Sequence, residues 1–199
     1  MVESRSDVEL MLSVKGGDRE AFDVLVQRHR KSLINFIYRF TVNPGESEDL
    51  AHEVLIKVYQ SASRYEPQAA FSTWLYRIAT NVALNYVRDH KPQMAKSLDC
   101  SEDGDDEMPR LEVRDPRSLA DDQLIQRERV QQIRQALAAL PENQRLAVVL
   151  TKYQELSLRE TAEIMKCSET AVKSLIFRAY TTLRGKLAVV VESRTVMRH

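Results

Sequence analysis

The chain is poor in the residues that staple, break or anchor a fold. Its only cysteines are Cys100 and Cys167. Neither begins a CxxC pair, so both read as reduced, unpaired thiols. A structural zinc site needs about four ligands at short spacings, and His29, His52, His90 and His199 do not supply them. No metal and no cofactor is expected. No stretch of about 18 consecutive apolar residues occurs, which excludes a membrane-spanning helix. The opening MVESRSDVEL carries acids and no apolar run, so it is no signal peptide and the protein is expected in the cytoplasm. Net charge is also absent, with 29 basic and 29 acidic residues. A nucleic-acid binder with that balance must sort its charge into patches. There is no phosphate-binding loop, no nucleophile beside a base and no metal cluster, so no catalysis is expected.

What is present is helical periodicity. The 199 residues suit one medium domain or two small ones. Five glycines and six prolines fall at boundaries, and no run of strands interrupts. Asp7 to Val14 reads as a short helix broken by Gly16-Gly17. Asp18 caps the next, roughly Arg19 to Phe40, with Phe22, Leu25, Val26, His29, Leu33, Ile37 and Phe40 on one face; His29 reads as a half-buried core residue. Asn43-Pro44-Gly45 is a turn. Ser47 caps a helix to about Arg64, with Leu50, Val54 and Val58 inward. Pro67 pushes Glu66 out of helical geometry, so Tyr65 to Gln68 is a loop. Leu98 to Asp122 holds ten acids and three arginines, too little apolar surface to fold alone. It is either a solvated spacer or a segment for a basic channel of a partner. Leu124 to Leu140 is helical, and Pro141 opens a helix carrying Leu146, Val149, Leu150 and Tyr153. The expected fold is all-α: two small helical domains, 1–96 and 123–190, joined by an acidic flexible linker at 97–122 and followed by a frayed tail, 191–199.

The stretch FSTWLYRIATNVALNYVRDH, residues 71–90, holds the single tryptophan. From Phe71 to Arg88 it has two arginines and no acid. Wound as a helix ending before Pro92, it puts Leu75, Ile78, Ala79, Val82 and Tyr86 on a buried stripe. Trp74, Arg77, Asn81, Leu84, Asn85 and Arg88 fall on the other face, an unusual place for the only indole.

Near the C-terminus, Ser157 and Glu160 stand in a capping-box relation and start a helix of about Leu158 to Met165. Lys166-Cys167-Ser168 turns the chain, and Ser168 caps a second helix with Val172, Ile176, Ala179 and Leu183 inward. Lys173, Ser174, Phe177, Arg178, Thr181 and Arg184 face outward. Two short helices, a tight turn and a basic outer face make a helix-turn-helix, whose second helix suits the DNA major groove. A plain helical hairpin with a solvated face has the same geometry.

Taken in order, GDREAFDVLVQRHR, SEDLAHEVLIKVYQ, FSTWLYRIATNVALNYVR and LPENQRLAVVL followed by LSLRETAEIMKCSETAVKSLIFRAYTTLR resemble the extracytoplasmic-function group of bacterial sigma factors. The resemblance runs from about Asp7 to Leu187. It implies a promoter-specificity subunit that reads a −35 element, melts a −10 element and catalyses nothing. It implies as partners core RNA polymerase, through the β′ clamp helices and β flap, promoter DNA, and a cognate anti-sigma factor. By position, Asp49, Leu50, His52 and Glu53 would grip the clamp. Tyr65, Glu66, Gln68 and Ala69 in the loop, together with Asn81, would form a pocket for a flipped base. Arg77, Asn85 and Arg88 would follow the backbone, and Trp74 would either shape the loop or touch DNA. Ser168, Thr170, Lys173, Ser174, Phe177 and Arg178 would read the −35 element. The sequence departs from the family at His52, where glutamine is common, at Leu55, where phenylalanine is, and at Leu175, where arginine is. Two other classes compete: a free-standing helix-turn-helix regulator binding duplex DNA as a dimer, and a protein-binding adaptor of two helical bundles.

Overall fold

The computed structural model describes residues 5–68, 70–97 and 130–196. Helix α1 (Asp7–Lys15) starts at Ser6 with a complete capping box: Glu9 N–H donates to the Ser6 hydroxyl, and the Glu9 carboxylate accepts from Ser6 N–H at 2.8 Å. Gly17, at φ +96°, takes the left-handed conformation that lets the chain reverse. Asp18 then caps α2 (Arg19–Thr41), accepting from Ala21 N–H at 3.1 Å. Leu25, Leu33, Ile37 and Phe40 are buried as the periodicity requires. The stripe also takes in Ala21 and Phe36 and leaves Phe22, Val26 and His29 half-buried.

Helix α3 (Pro44–Gln60) starts earlier than the sequence reading placed it. Asn43 is the cap, its side chain accepting from Glu46 N–H at 3.3 Å, with Pro44 in the first turn. Ser47 is instead fully buried. Its hydroxyl donates to the Asn43 carbonyl at 2.6 Å and meets the Thr41 hydroxyl at 2.7 Å. The helix stops at Gln60, and Ala62–Arg64 forms a single 3₁₀ turn. Helix α4 (Phe71–Ser97) passes through Pro92 rather than ending before it. The carbonyl left without a donor belongs to Arg88, an exposed residue where water can serve it.

In the second domain, the described part of α5 covers 130–138. The acidic segment and Leu124 to Arg129 lie outside the described residues. Pro141 sits just before α6 (Glu142–Val148), which widens into a π-helical turn, Val149–Tyr153. Next come α7 (Leu158–Met165) and α8 (Glu169–Val196). Helix α8 runs on to Val196, into the segment from 191 where a frayed tail was expected, because neither proline nor glycine occurs from Lys186 to Val196.

Leu10, Met11, Leu33, Phe36, Phe40, Val54 and Leu75, all at 0% exposure, form the centre of the first domain. Full burial of each such side chain stabilises by roughly 1.5–3 kcal/mol. The second domain has two smaller clusters, one around Val148 and Ala179, the other around Ala147, Ala162 and Val172. Its opposite side does not face solvent. Leu146, Val149, Leu150, Leu156 and Ile164 join the first domain's core cluster. Polar contacts surround that seam. The Ser32 hydroxyl donates to Gln154 Oε1 at 2.9 Å, and the Tyr76 hydroxyl bonds the same oxygen. The Arg39 guanidinium lies 3.7 Å over the Tyr153 ring, and Arg134 donates to the Tyr38 hydroxyl at 3.2 Å.

Candidate nucleic-acid and polymerase interfaces

Trp74 is half-buried. Its ring packs edge-on against Tyr65 at 5.1 Å and tilted against Phe71 at 6.0 Å. The indole therefore packs against both ends of the loop that precedes α4, with part of its surface left open. Tyr65 departs from expectation: at 0% exposure it is a core side chain and does not line a surface pocket. Burial pushes its phenol above the ordinary value of 10.0. The loop is tied down from α1, where Lys15 Nζ donates to the Tyr65 carbonyl at 2.9 Å, a long-range contact no local motif signals. Glu66 and Gln68 remain exposed, with the Gln68 amide donating to Glu66 at 2.8 Å. Ala69 lies outside the described residues.

Between α3 and α4 runs a groove of about 800 Å³. Leu50, Ile78, Val82 and Tyr86 contribute apolar lining, and Glu53, Lys57, Arg64, Asn81 and Asn85 contribute polar groups. Asn81 and Asn85 are exposed, one helical turn apart. Arg88 donates to Asn85 Oδ1 at 2.9 Å and pairs with Asp89 at 3.5 Å. Lys57 pairs with Glu53 at 3.2 Å. An amide over an apolar floor, flanked by cations, can hold a base by its edge and its ring while neighbouring phosphates are neutralised. Lys57 on α3 and Arg64 in the 3₁₀ turn also line the groove, and sequence reasoning did not single them out because they meet α4 only through tertiary packing. Arg77 lies toward the other domain, its guanidinium 3.9 Å from Glu163.

The outer face of α3 presents Asp49, His52 and Glu53 to solvent. Leu50 is half-buried and lines the groove between α3 and α4. Ile56, 52% exposed, is a large apolar side chain open to solvent on that face. Positions 49, 52, 53 and 56 share one helical face, and this spacing was the signal available in the sequence. Leu55 is 8% exposed and belongs to the core.

In α7, Ser157 and Glu160 form the expected capping box. The turn relies on Lys166 in the left-handed region at φ 53°. Ser168 caps α8, accepting from Ala171 N–H at 3.1 Å. Ser168, Thr170, Lys173 and Arg178 are exposed, Ser174 is half-buried, and Phe177 stands out at 73% exposure. Leu175 packs against the Ala147, Ala162 and Val172 cluster, so an apolar side chain there has a packing role. Among the described residues, no group of three or more His, Cys, Asp or Glu could hold a metal, and no helix is long and apolar enough to cross a membrane.

Comparison with known proteins agrees with this arrangement. Residues 25–93 match the family described as Sigma-70 region 2, and residues 130–183 match Sigma-70, region 4. The chain is 33% identical over 184 residues to RNA polymerase sigma-H factor of Pseudomonas aeruginosa, covering 90% of this chain and 92% of that one. It is 33% identical over 190 residues to ECF RNA polymerase sigma-E factor of Escherichia coli K12, covering 94% and 97%. Its fold is that of CnrH, solved in complex with the cytosolic domain of CnrY, at TM-score 0.69 and 21% identity, covering 93% of this chain and 99% of that one. It is also that of the sigma factor RpoE of Bartonella quintana, solved with the anti-sigma factor NepR, at TM-score 0.64 and 22% identity, covering 84% and 97%. Both sigma regions in order, on helices that carry a groove, an acidic face and a basic helix-turn-helix, set aside the free-standing regulator and the adaptor: the chain belongs to the extracytoplasmic-function group of sigma-70 RNA polymerase sigma factors, which direct promoter-specific transcription without catalysis of their own.

Proposed function

We propose a division of labour among these surfaces. The exposed α3 face, with Asp49, His52, Glu53 and Ile56, grips the clamp helices of core RNA polymerase in the cytoplasm. Two acids around one apolar side chain suit a basic, partly apolar partner helix. The α3–α4 groove, with Asn81 at its edge, takes a flipped base of the −10 element, while Arg88, Asn85 and Arg77 follow the strand. Tyr65 and Trp74 act beneath, holding the loop of Glu66 and Gln68 in place. The face of α8 with Lys173, Ser174, Phe177 and Arg178 reads the −35 element, with Ser168 and Thr170 at its N-terminus near phosphate. The domains divide at the acidic segment 97–122, which tethers them, and region 4 also meets the β flap. A sigma factor of this fold, RpoE of Bartonella quintana, was solved with the anti-sigma factor NepR, and a protein inhibitor of that kind is the expected regulator.

The observation that carries this reading is the juxtaposition, along α3 and α4, of an acidic outer face and an amide-edged groove. Gel filtration with core polymerase from the same source, without DNA, tests it. Co-elution that is lost on reversing charge at Asp49 and Glu53 supports the assignment. Co-elution indifferent to both reversals moves the polymerase contact elsewhere.

A further inference from the structure

Helix α1 is linked to both ends of the loop that precedes α4. Its apolar face seats it on the first domain, with Leu10 and Met11 at 0% exposure and Val14 buried. Its two termini carry polar links. At the C-terminal end, Lys15 Nζ donates to the carbonyl of Tyr65, where the loop begins, at 2.9 Å. At the N-terminal end, Asp7 Oδ2 lies 2.7 Å from His29 Nε2 on α2. The His29 ring packs at 5.2 Å against Phe71, where the loop ends. The other Asp7 oxygen accepts from Arg28 at 2.7 Å. An acid in the first turn and a lysine in the last also suit the helix dipole.

Inside the loop the bonds are local. Gln68 N–H donates to the Glu66 carbonyl at 2.8 Å, and the Gln68 side-chain amide donates to the Glu66 carboxylate at 2.8 Å. Pro67 has no N–H to give. Such a turn fixes its own shape and not its place beside the groove. That place is set from outside. The Phe71 and Trp74 rings fix the Tyr65 side chain by packing. The ammonium of Lys15 fixes the direction of the Tyr65 peptide group, from which the path of Glu66 and Pro67 follows. A charge-assisted bond of this kind is stronger and more directional than ring packing. Because Leu10, Met11 and Val14 already seat α1, neither link is needed to hold the helix itself.

We propose that α1 is a brace for this loop, and that Lys15 and Asp7 are positioning residues that set how strictly the loop and Asn81 discriminate among bases. Discrimination is a difference between two affinities. It is large only when donors and acceptors cannot shift to suit the wrong base. Without the brace the loop adapts, and wrong bases gain on the right one. This role rests on the assignment of the loop and groove to a flipped −10 base, and it adds residues that touch no DNA themselves.

The test compares the full-length chain with Lys15→Met, Lys15→Arg and Asp7→Asn. Trp74 is the single tryptophan and packs on Tyr65, so its fluorescence reports the loop without DNA. Lys15→Met should shift Trp74 emission to the red and make it more readily quenched by acrylamide, with an unchanged far-ultraviolet spectrum. Lys15→Arg, which keeps a cationic donor, should return both toward the native values. Unchanged emission and quenching in Lys15→Met would overturn the brace. Holoenzymes made with core polymerase from the same source then select from a fork-junction library with a randomised non-template segment. At the position of strongest preference, Lys15→Met should lower the ratio of best to worst base by about five- to tenfold, the scale of one charge-assisted hydrogen bond. Asp7→Asn should lower it in the same direction, Lys15→Arg should restore it, and core binding should not change. Weaker binding with every ratio intact would overturn the selectivity role. A salt slope reduced by about one unit would make Lys15 a phosphate contact and overturn its positioning role. No base preference in the native holoenzyme would instead overturn the groove assignment and the selectivity role with it, and Trp74 in the free chain would still decide the brace.

Discussion

Tyr65 illustrates how a buried side chain can support from beneath a loop proposed to read DNA. Its ring is enclosed by Phe71 and Trp74, and its hydroxyl is buried without a hydrogen-bond partner. An unsatisfied buried hydroxyl costs about 1–3 kcal/mol. Tyr65→Phe is therefore expected to keep or raise the midpoint of thermal unfolding and to leave promoter opening unchanged. A lower midpoint, or weaker opening, would give the hydroxyl a partner it lacks here. Asn81 behaves oppositely, being exposed at the groove edge. Asn81→Ala should cut the yield of open complex while sparing core binding; an equal yield in a permanganate footprint would remove it from the pocket. At Arg178, alanine should cost about 1–3 kcal/mol of −35 affinity if the guanidinium meets a base edge. If it meets phosphate, the loss should instead show as a smaller salt slope, by about one unit.

At the scale of elements, α7 shows what local pattern carries and what it omits. Ser157 and Glu160, three residues apart, are enough to place the helix start. What spacing cannot convey is the second partner of Glu160, the Thr73 hydroxyl across the domain seam. The Ser157 hydroxyl, its backbone N–H and Thr73 together hold the Glu160 carboxyl below its ordinary value of 4.5. A folded-state value depressed in this way gives stability that is present above 4.5 and lost as pH falls through the folded value. Acid titration of the urea midpoint should therefore show a loss confined to that low range, and Glu160→Gln should flatten it. An unchanged acid limb in the variant would assign the loss to other carboxylates. The same limit on local pattern explains the other departures. Asn43 and Ser47 are both acceptable caps, and the choice fell to Asn43 because Pro44 fits the first turn while Ser47 has a buried partner in Thr41. Leu50 and Ile56 are both apolar, and only packing against α4 decides which one turns inward.

For the whole molecule, helix content, the order of the segments and the helix-turn-helix were legible because each rests on contacts within a few residues. The seam between domains was not, since Tyr153, Gln154 and Leu150 follow an ordinary helical stripe whose partner lies more than a hundred residues away on α2. That seam has a thermodynamic consequence. Because Leu146, Val149, Leu150, Leu156 and Ile164 complete the first domain's core cluster, opening the seam exposes apolar surface on both sides. Neither domain can then unfold without destabilising the other. Differential scanning calorimetry of the free chain is expected to give one transition, with calorimetric and van't Hoff enthalpies in agreement. Tyr153→Ala with Gln154→Ala should lower the midpoint or split the peak into two components, as the second domain loses its support. Two well-separated transitions in the unaltered chain would mean that the shared cluster contributes little free energy, and that the domains are coupled by the tether alone.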